Sequence, residues 1–142
     1  MDISVTFTVA APPERVWALM GNPTTWSSWT ASITSVQWIH GESTAVGNTA
    51  KVKQPGFPTA KWTVTEVEPG RSFTWESRAP GIRSVGEHEV TPDGQGSHVR
   101  LAIRQTGVLA PLLALLAGKR SRRYVQMEAD GLTERAEAQV SH

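Results

Sequence analysis

The chain has 142 residues, of which 39% are hydrophobic and 19% charged, so it is most simply one domain with its own core. Its 14 Lys and Arg residues nearly balance its 13 Asp and Glu residues, and the net charge of +1 indicates neither nucleic acid nor an anionic membrane as partner. The lack of cysteine excludes disulfides, thiolate metal sites and thiol nucleophiles, and it is compatible with a cytoplasmic location.

Neither targeting nor membrane insertion is indicated by the hydrophobic pattern. The first twelve residues, MDISVTFTVAAP, alternate like a strand and lack a basic region followed by an apolar run, so we expect no secretory signal. The longest apolar run, 108–117, is far shorter than the ~20 residues of a membrane-spanning helix. We therefore expect no integral membrane segment.

The N-terminal part predicts a strand followed by two short helices. Residues 3–9 alternate between apolar and polar side chains, which is typical of a half-buried strand. Pro-Pro-Glu at 12–14 is typical of a helix start, and Gly-Asn-Pro at 21–23 ends that helix. Residues 24–29 are predicted to form the second short helix.

Trp26 and Trp29 lie three residues apart and therefore share one face of the second short helix. One interpretation is that they attach the short helices to the edge of a sheet. The other is that one of them lines the rim of a cavity, and Trp29 is retained as a candidate ligand contact.

Six further strands are predicted downstream, because alternating segments are separated by strong turn signals such as Pro-Gly at 69–70 and PDGQG at 92–96. A helical pattern then runs from about 111 to 139. A single long helix must bury its apolar stripe, and the concave face of the sheet is the available surface. The predicted strands are 33–40, 49–53, 61–68, 71–78, 84–91 and 98–106.

These elements predict an α+β, helix-grip fold in a single domain, 1–142. A curved antiparallel β-sheet of about six to seven strands wraps around a long C-terminal α-helix, and two short helices follow the first strand. A sheet built of sequential strands with short turns is a meander.

Four segments carry a resemblance to a known family: VAAPPERVWALMGNPTTWSSWT (9–30), VTEVEPGRSFTW (64–75), GEHEVTPDGQGSHVRL (86–101) and EADGLTERAE (128–137). In their order and spacing they resemble the START-like (SRPBCC) superfamily, in its polyketide cyclase/dehydrase and lipid-transport branch. The resemblance spans almost the whole chain and implies a cavity between sheet and helix. The superfamily hosts carriers, cyclases, hydroxylase subunits and chaperone activators, so it leaves the function open.

The chain contains six Trp, three Phe and one Tyr, and these rings either fill the core or form the wall of a cavity. Strand alternation puts Trp62 and Glu66 on one face, and Phe73 and Trp75 on one face of the next strand. If both faces point inward, the three rings form one wall of the binding surface and Glu66 is its carboxylate.

His88 lies in mid-strand between two glutamates, which alternation sends to the opposite face, so this strand alone cannot form a metal site. Val90 shares its face, which indicates that His88 points inward. A lone inward histidine is more often a hydrogen-bonded core residue. The functional alternative is a polar anchor or proton donor to a ligand carbonyl, and the acid/base residue if the protein is an enzyme.

The segment Gly107–Gly118 is apolar around its whole circumference once helical. It is either buried against the short helices or forms a gate over the cavity, with Leu112 and Leu116 as candidate ligand contacts. One turn apart further along the helix, Tyr124 and Met127 are also predicted to point into the cavity.

The main functional prediction is non-covalent binding of a small hydrophobic molecule, such as a lipid, a fatty acid or an aromatic polyketide-like metabolite. The alternatives are an aromatase/cyclase-type enzyme, in which Glu66 or Tyr124 assists His88, and a protein-interaction module. No nucleophile elbow, phosphate-binding loop or zinc motif is present, so we expect neither cofactor nor metal. We expect a cytoplasmic monomer or homodimer whose only identified partner is the small molecule.

Overall fold

The structure is a computed structural model that describes residues 1–140, with side chains described through residue 138. The last two residues of the predicted domain, 1–142, lie outside the described residues. The elements are β1 (Asp2–Val9), α1 (Pro13–Met20), a 3₁₀ helix (Pro23–Ser28), β2 (Ser35–His40), β3 (Thr49–Lys53), β4 (Ala60–Glu68), β5 (Ser72–Ala79), β6 (Ile82–Asp93), β7 (Gly96–Thr106) and α2 (Ala110–Val140).

The seven strands form one antiparallel sheet in the order β1-β7-β6-β5-β4-β3-β2. Strands β2 to β7 form the predicted meander, because each pairs with its neighbours in sequence. The first strand pairs with the last, which places the N-terminus beside the strand that leads into α2. The long helix packs on this sheet, and the predicted helix-grip fold is confirmed.

A β-bulge in β4 interrupts the strict alternation of side chains. The pairing of β4 with β5 runs from Val64 opposite Trp75 to Glu66 opposite Thr74, which leaves Thr65 as the extra residue. A bulge exchanges the two faces of a strand beyond it. Val67 therefore points to the inner side opposite Phe73, and Glu66 is exposed.

The C-terminal half of α2 packs directly on the sheet. Val125, Ala129, Leu132 and Ala136 recur at helical spacing, are buried, and join the core beside strands β1, β6 and β7. Gly131 lies so close to the short helices that a Cβ there would collide with the carbonyl oxygen of Trp29. The packing is therefore tight at this end of the helix.

The N-terminal half of α2 is different, because its apolar segment is largely exposed. Val108, Leu115 and Leu116 have relative exposures of 87%, 82% and 75%, so the segment is not buried against the short helices. Its start is attached to the β5–β6 turn by a hydrogen bond of 3.0 Å from the amide of Leu109 to the carbonyl of Gly81. No helix among the described residues is both long and apolar enough to cross a membrane.

Candidate functional site

A cavity of about 580 Å³ lies between the inner face of the sheet and α2. Side chains of β3 to β7 form one wall, the β3–β4 loop forms a second, and α2 forms the third. Residues that line the cavity from α2 lie at helical spacing on the face turned towards the sheet: Leu113, Ser121, Tyr124, Val125 and Glu128.

Trp62 and Trp75 form the aromatic part of the sheet wall. Their ring centroids are 5.5 Å apart with an interplanar angle of 35°, and Trp26 meets Trp75 edge-on at 5.3 Å. Gly86 makes this arrangement possible, because a Cβ there would lie 2.9 Å from the indole nitrogen of Trp75. The wall thus offers wide, rigid, weakly polar surfaces to a flat apolar molecule.

His88 lies beside this aromatic wall and is 7% exposed. Its ring stacks on Phe73 at 4.2 Å with an angle of 8°, and its Nδ1 lies 3.3 Å from the carbonyl oxygen of Phe73. A carbonyl only accepts hydrogen bonds, so Nδ1 carries the proton and Nε2 is the acceptor.

Burial lowers the pKa of His88 to about 4, although the hydrogen bond to the Phe73 carbonyl opposes that change. The imidazole is therefore neutral at pH 7. In this tautomer Nε2 offers a lone pair to a ligand, which is the acceptor form of the polar anchor expected from the sequence.

A polar row crosses the sheet wall. Ser77 pairs with Ser84, and Ser84 pairs with Gln105, so the three side chains lie side by side on β5, β6 and β7. The side-chain amide of Gln105 donates a 3.3 Å hydrogen bond to the Ser84 hydroxyl. Its Oε1 is buried, and it has no hydrogen-bond partner among the described residues.

Glu128 places a carboxyl group on the helix wall. Burial raises the pKa of this carboxyl to about 8, and no charged neighbour contributes to the change. None of the described residues forms a hydrogen bond or an ion pair with it. The side chain is only partly buried because part of it faces the cavity.

The β3–β4 loop, which forms the second wall, is attached to α2 at two points. The hydroxyl of Tyr124 donates a 2.6 Å hydrogen bond to the carbonyl of Pro55, and its ring meets Phe57 edge-on at 5.8 Å. Arg120 donates a 3.0 Å hydrogen bond to the carbonyl of Gly56 and lies over the Phe57 ring at 5.5 Å. The loop is thus a covering segment held by side chains of the helix.

Four of the residues selected from the sequence line the cavity: Trp62, Trp75, His88 and Tyr124. Phe73 points the same way as Trp75 but is fully buried beneath His88, so it supports the wall without forming its surface.

Glu66 does not line the cavity, because the bulge in β4 turns it to the exposed face. Trp29 packs into the core near Gly131, and the residue that reaches the cavity from the 3₁₀ helix is Trp26. The positions of Glu66 and Trp29 differ from the expectation because strict periodicity does not account for local irregularities of the backbone.

Leu112, Leu116 and Met127 lie beside the helix face that turns towards the cavity and not on it. Leu112 and Leu116 are 50% and 75% exposed, whereas Leu113 lines the cavity. Met127 is partly buried, and its neighbour Glu128 is the lining residue. One residue is about 100° of rotation on a helix, so an error of one position moves a side chain off the face.

Sequence reasoning missed Glu128 and the polar row. A signal for Glu128 was present: it lies four residues after Tyr124 and four before Leu132, on the stripe that faces the sheet. A carboxylate on such a stripe is unusual. Gln105 and Ser84 are visible only once the register aligns them.

No group of three or more His, Asp or Glu side chains within the described part of the chain could hold a metal ion.

Comparisons with known proteins agree with this architecture. The family model described as "Polyketide cyclase / dehydrase and lipid transport" matches residues 1–137. No curated protein matches the sequence.

Several solved structures share the fold. A protein of Thermus thermophilus is 20% identical with a TM-score of 0.76, covering 97% of this chain and 98% of its own. A hypothetical protein of Helicobacter pylori is 16% identical with a TM-score of 0.82, covering 96% and 88%. The major latex-like protein 151 of Panax ginseng is 18% identical with a TM-score of 0.67, covering 93% and 97%.

Proposed function

We propose that this chain, which belongs to the polyketide cyclase/dehydrase and lipid-transport family, binds a small hydrophobic molecule non-covalently in its cavity. The observation that carries the proposal is the pair Trp62 and Trp75, whose rings stand 5.5 Å apart in the wall of a cavity of about 580 Å³. Sites for small molecules typically enclose ~300–1,000 Å³ and are lined by apolar and aromatic side chains with a few polar groups.

The candidate ligands are a lipid, a fatty acid or an aromatic polyketide-like metabolite. The two indoles, inclined by 35°, favour a flat ring system over a flexible chain, because a planar ligand can stack on an indole in an offset arrangement. Binding would come from apolar burial at ~25 cal/mol per Å², with one or two polar groups fixing orientation.

A cavity-filling substitution tests this proposal. Ser121→Trp adds an indole on the helix face that lines the cavity, and Gln126→Trp adds the same indole on the exposed face of the same helix. We expect the wild type and Gln126→Trp to bind 2-methylnaphthalene, followed by quenching of tryptophan fluorescence, and Ser121→Trp to lose it. Equal binding by both variants, each shown to be folded by circular dichroism, would place the ligand elsewhere.

A second candidate is an aromatase/cyclase-type enzyme, for which the observation is that His88 lines the cavity with Nε2 unprotonated. Its pKa of about 4 makes it a weak base, so this candidate ranks behind binding. There Nε2 would remove a proton next to a ligand carbonyl. The predicted assistance by Glu66 is not retained, because Glu66 is exposed outside the cavity. His88→Gln keeps a polar side chain without acid/base function: an enzyme would lose about 10²–10⁴-fold in rate, whereas a carrier would keep its affinity.

The proposal retains the expectations of a cytoplasmic location and of a monomer or homodimer. Sizing chromatography over a hundredfold range of protein concentration measures the second of these directly.

A further inference from the structure

Glu128 occupies a position where the helix otherwise carries apolar or small side chains. At the same phase of α2 lie Ser121, Val125, Leu132 and Ala136, all turned towards the sheet or the cavity. An ionised carboxylate without a partner is very costly in such surroundings, whereas the neutral acid is tolerated.

The neutral acid still has a hydrogen to donate, and no described residue accepts it. A second polar group on the same cavity is also without a partner, because Oε1 of Gln105 is buried and accepts no hydrogen bond from the described residues. The cavity therefore presents one free donor on its helix wall, and the unpaired acceptor of Gln105 lies buried within its sheet wall. Polar groups left unpaired in this way cost free energy that a complementary ligand recovers.

We infer that Glu128 is the polar anchor of the cavity and donates a hydrogen bond from its carboxyl group to the carbonyl oxygen of an uncharged ligand. The inference rests on the proposed binding function and adds the ligand class, an apolar molecule that carries a ketone or similar acceptor.

Ligand binding and protonation of Glu128 are then coupled. The donor exists only while the carboxyl is protonated, so affinity for a ketone is full near neutral pH and falls as the pH rises through about 8. By linkage, a bound ketone raises the pKa of Glu128 further, because the ligand accepts a hydrogen bond only from the protonated form.

Other charged or titratable residues also line this cavity: Lys61 on β4, Arg78 on β5, Glu87 and His88 on β6, and Tyr124 on α2. A variant at position 128 leaves all of them in place. Glu128→Gln keeps a neutral donor of the same size that does not titrate, and Glu128→Leu removes the donor.

The test compares two naphthalenes of similar shape that are uncharged at every pH used: 2-acetylnaphthalene, which has a carbonyl, and 2-methylnaphthalene, which has none. The measured quantity is the ratio of their affinities in wild type and both variants at pH 6 and pH 9.5, from quenching of tryptophan fluorescence. Taking the ratio cancels differences in stability and in cavity shape between the variants.

At pH 6 we expect the wild type and Glu128→Gln to favour the ketone about fivefold more than Glu128→Leu does, as expected for one hydrogen bond. At pH 9.5 the wild type should lose this preference and Glu128→Gln should keep it. Calorimetry at pH 8.5 in two buffers of different ionisation enthalpy should detect proton uptake with the ketone in the wild type and none in Glu128→Gln.

Two failures are distinguishable. If both naphthalenes bind but the ratio is the same in wild type and Glu128→Leu, or if ketone binding takes up no proton, the anchor is refuted and the binding function stands. If neither naphthalene binds to the wild type, the proposed function is refuted and the anchor with it.

Discussion

The hydroxyl of Tyr124 on α2 donates a 2.6 Å hydrogen bond to the carbonyl oxygen of Pro55 in the β3–β4 loop. The same loop contributes Phe57 to the cavity wall, so the bond joins two walls of one cavity. On the proposed binding function, we expect a ligand that enters beside this loop to displace it from the helix. We therefore predict that the Tyr124–Pro55 contact slows ligand exchange.

Tyr124→Phe should accelerate ligand exchange, because it removes the hydroxyl group and keeps the aromatic ring in the cavity wall. Loss of one neutral hydrogen bond is worth about 1 kcal/mol, so the dissociation rate of 2-methylnaphthalene should rise up to about fivefold by stopped-flow fluorescence. Arg123→Gln is the control, since Arg123 is exposed and its side chain forms no hydrogen bond or ion pair with the described residues. An unchanged rate in Tyr124→Phe would exclude the loop as the barrier to exchange.

His88 should contribute a loss of stability in mild acid. Its pKa is lowered by burial from 6.5 to about 4, so the unfolded chain takes up a proton in that interval before the folded protein does. The contribution of His88 to the free energy of unfolding is thus constant above pH 6.5 and decreases towards pH 4 by about 3 kcal/mol. His88→Phe, which keeps a ring on Phe73, should remove this contribution, so the stability difference between this variant and the wild type should change with pH in urea unfolding. The difference between wild type and His98→Gln, a substitution at an exposed strand position, should stay constant.

Glu128 should contribute a pH dependence of the opposite sign, with stability lost as the pH rises. Its pKa is raised by burial from 4.5 to about 8, so the unfolded chain loses a proton in that interval while the folded protein holds it. The contribution of Glu128 to stability is full below pH 4.5 and decreases as the pH rises to 8, by up to about 5 kcal/mol. Glu128→Gln should be more stable than the wild type at pH 8, and equal stability of the two proteins across this range would show an ordinary carboxylate.

Two glycines of α2 should respond oppositely to alanine. At Gly118 a Cβ would lie 3.5 Å from the sulfur of Met1, which is ordinary contact, so Gly118→Ala should stabilise the protein by about 0.5–1 kcal/mol through helix propensity. At Gly131 a Cβ would collide with the carbonyl of Trp29, so Gly131→Ala should destabilise by about 2 kcal/mol despite the same propensity. Chemical denaturation of both variants compares them directly.

The order of elements could be predicted because alternation and turn residues act locally. The strands of the meander, their Pro-Gly and Asp-Gly turns and the final helix all follow from such patterns, and they appear where expected within a few residues. The pairing of β1 with β7 joins the first strand of the chain to the last, and no local pattern specifies such a long-range contact.

The candidate site was harder to predict because a cavity depends on which face each element presents. The bulge at Thr65 turns Val67 to the inner face of the sheet, where strict alternation would put Glu66. On α2, a shift of one position puts Glu128 on the cavity wall, where Met127 was expected. Trp75 and His88 line the cavity as strand alternation indicates, because no irregularity interrupts the pairing of their strands. The contact between Ser84 and Gln105 requires the register of two strands, which only the folded sheet supplies.

Native mass spectrometry of freshly purified wild type and Ser121→Trp tests the central claim most directly. We predict a stoichiometric small-molecule adduct on the wild type that is absent from Ser121→Trp and retained by Gln126→Trp. Denaturation of the adduct should then release an apolar, uncharged compound with a carbonyl group. An adduct of equal occupancy on Ser121→Trp, or a wild type that neither carries nor takes up an apolar molecule, would contradict binding in this cavity.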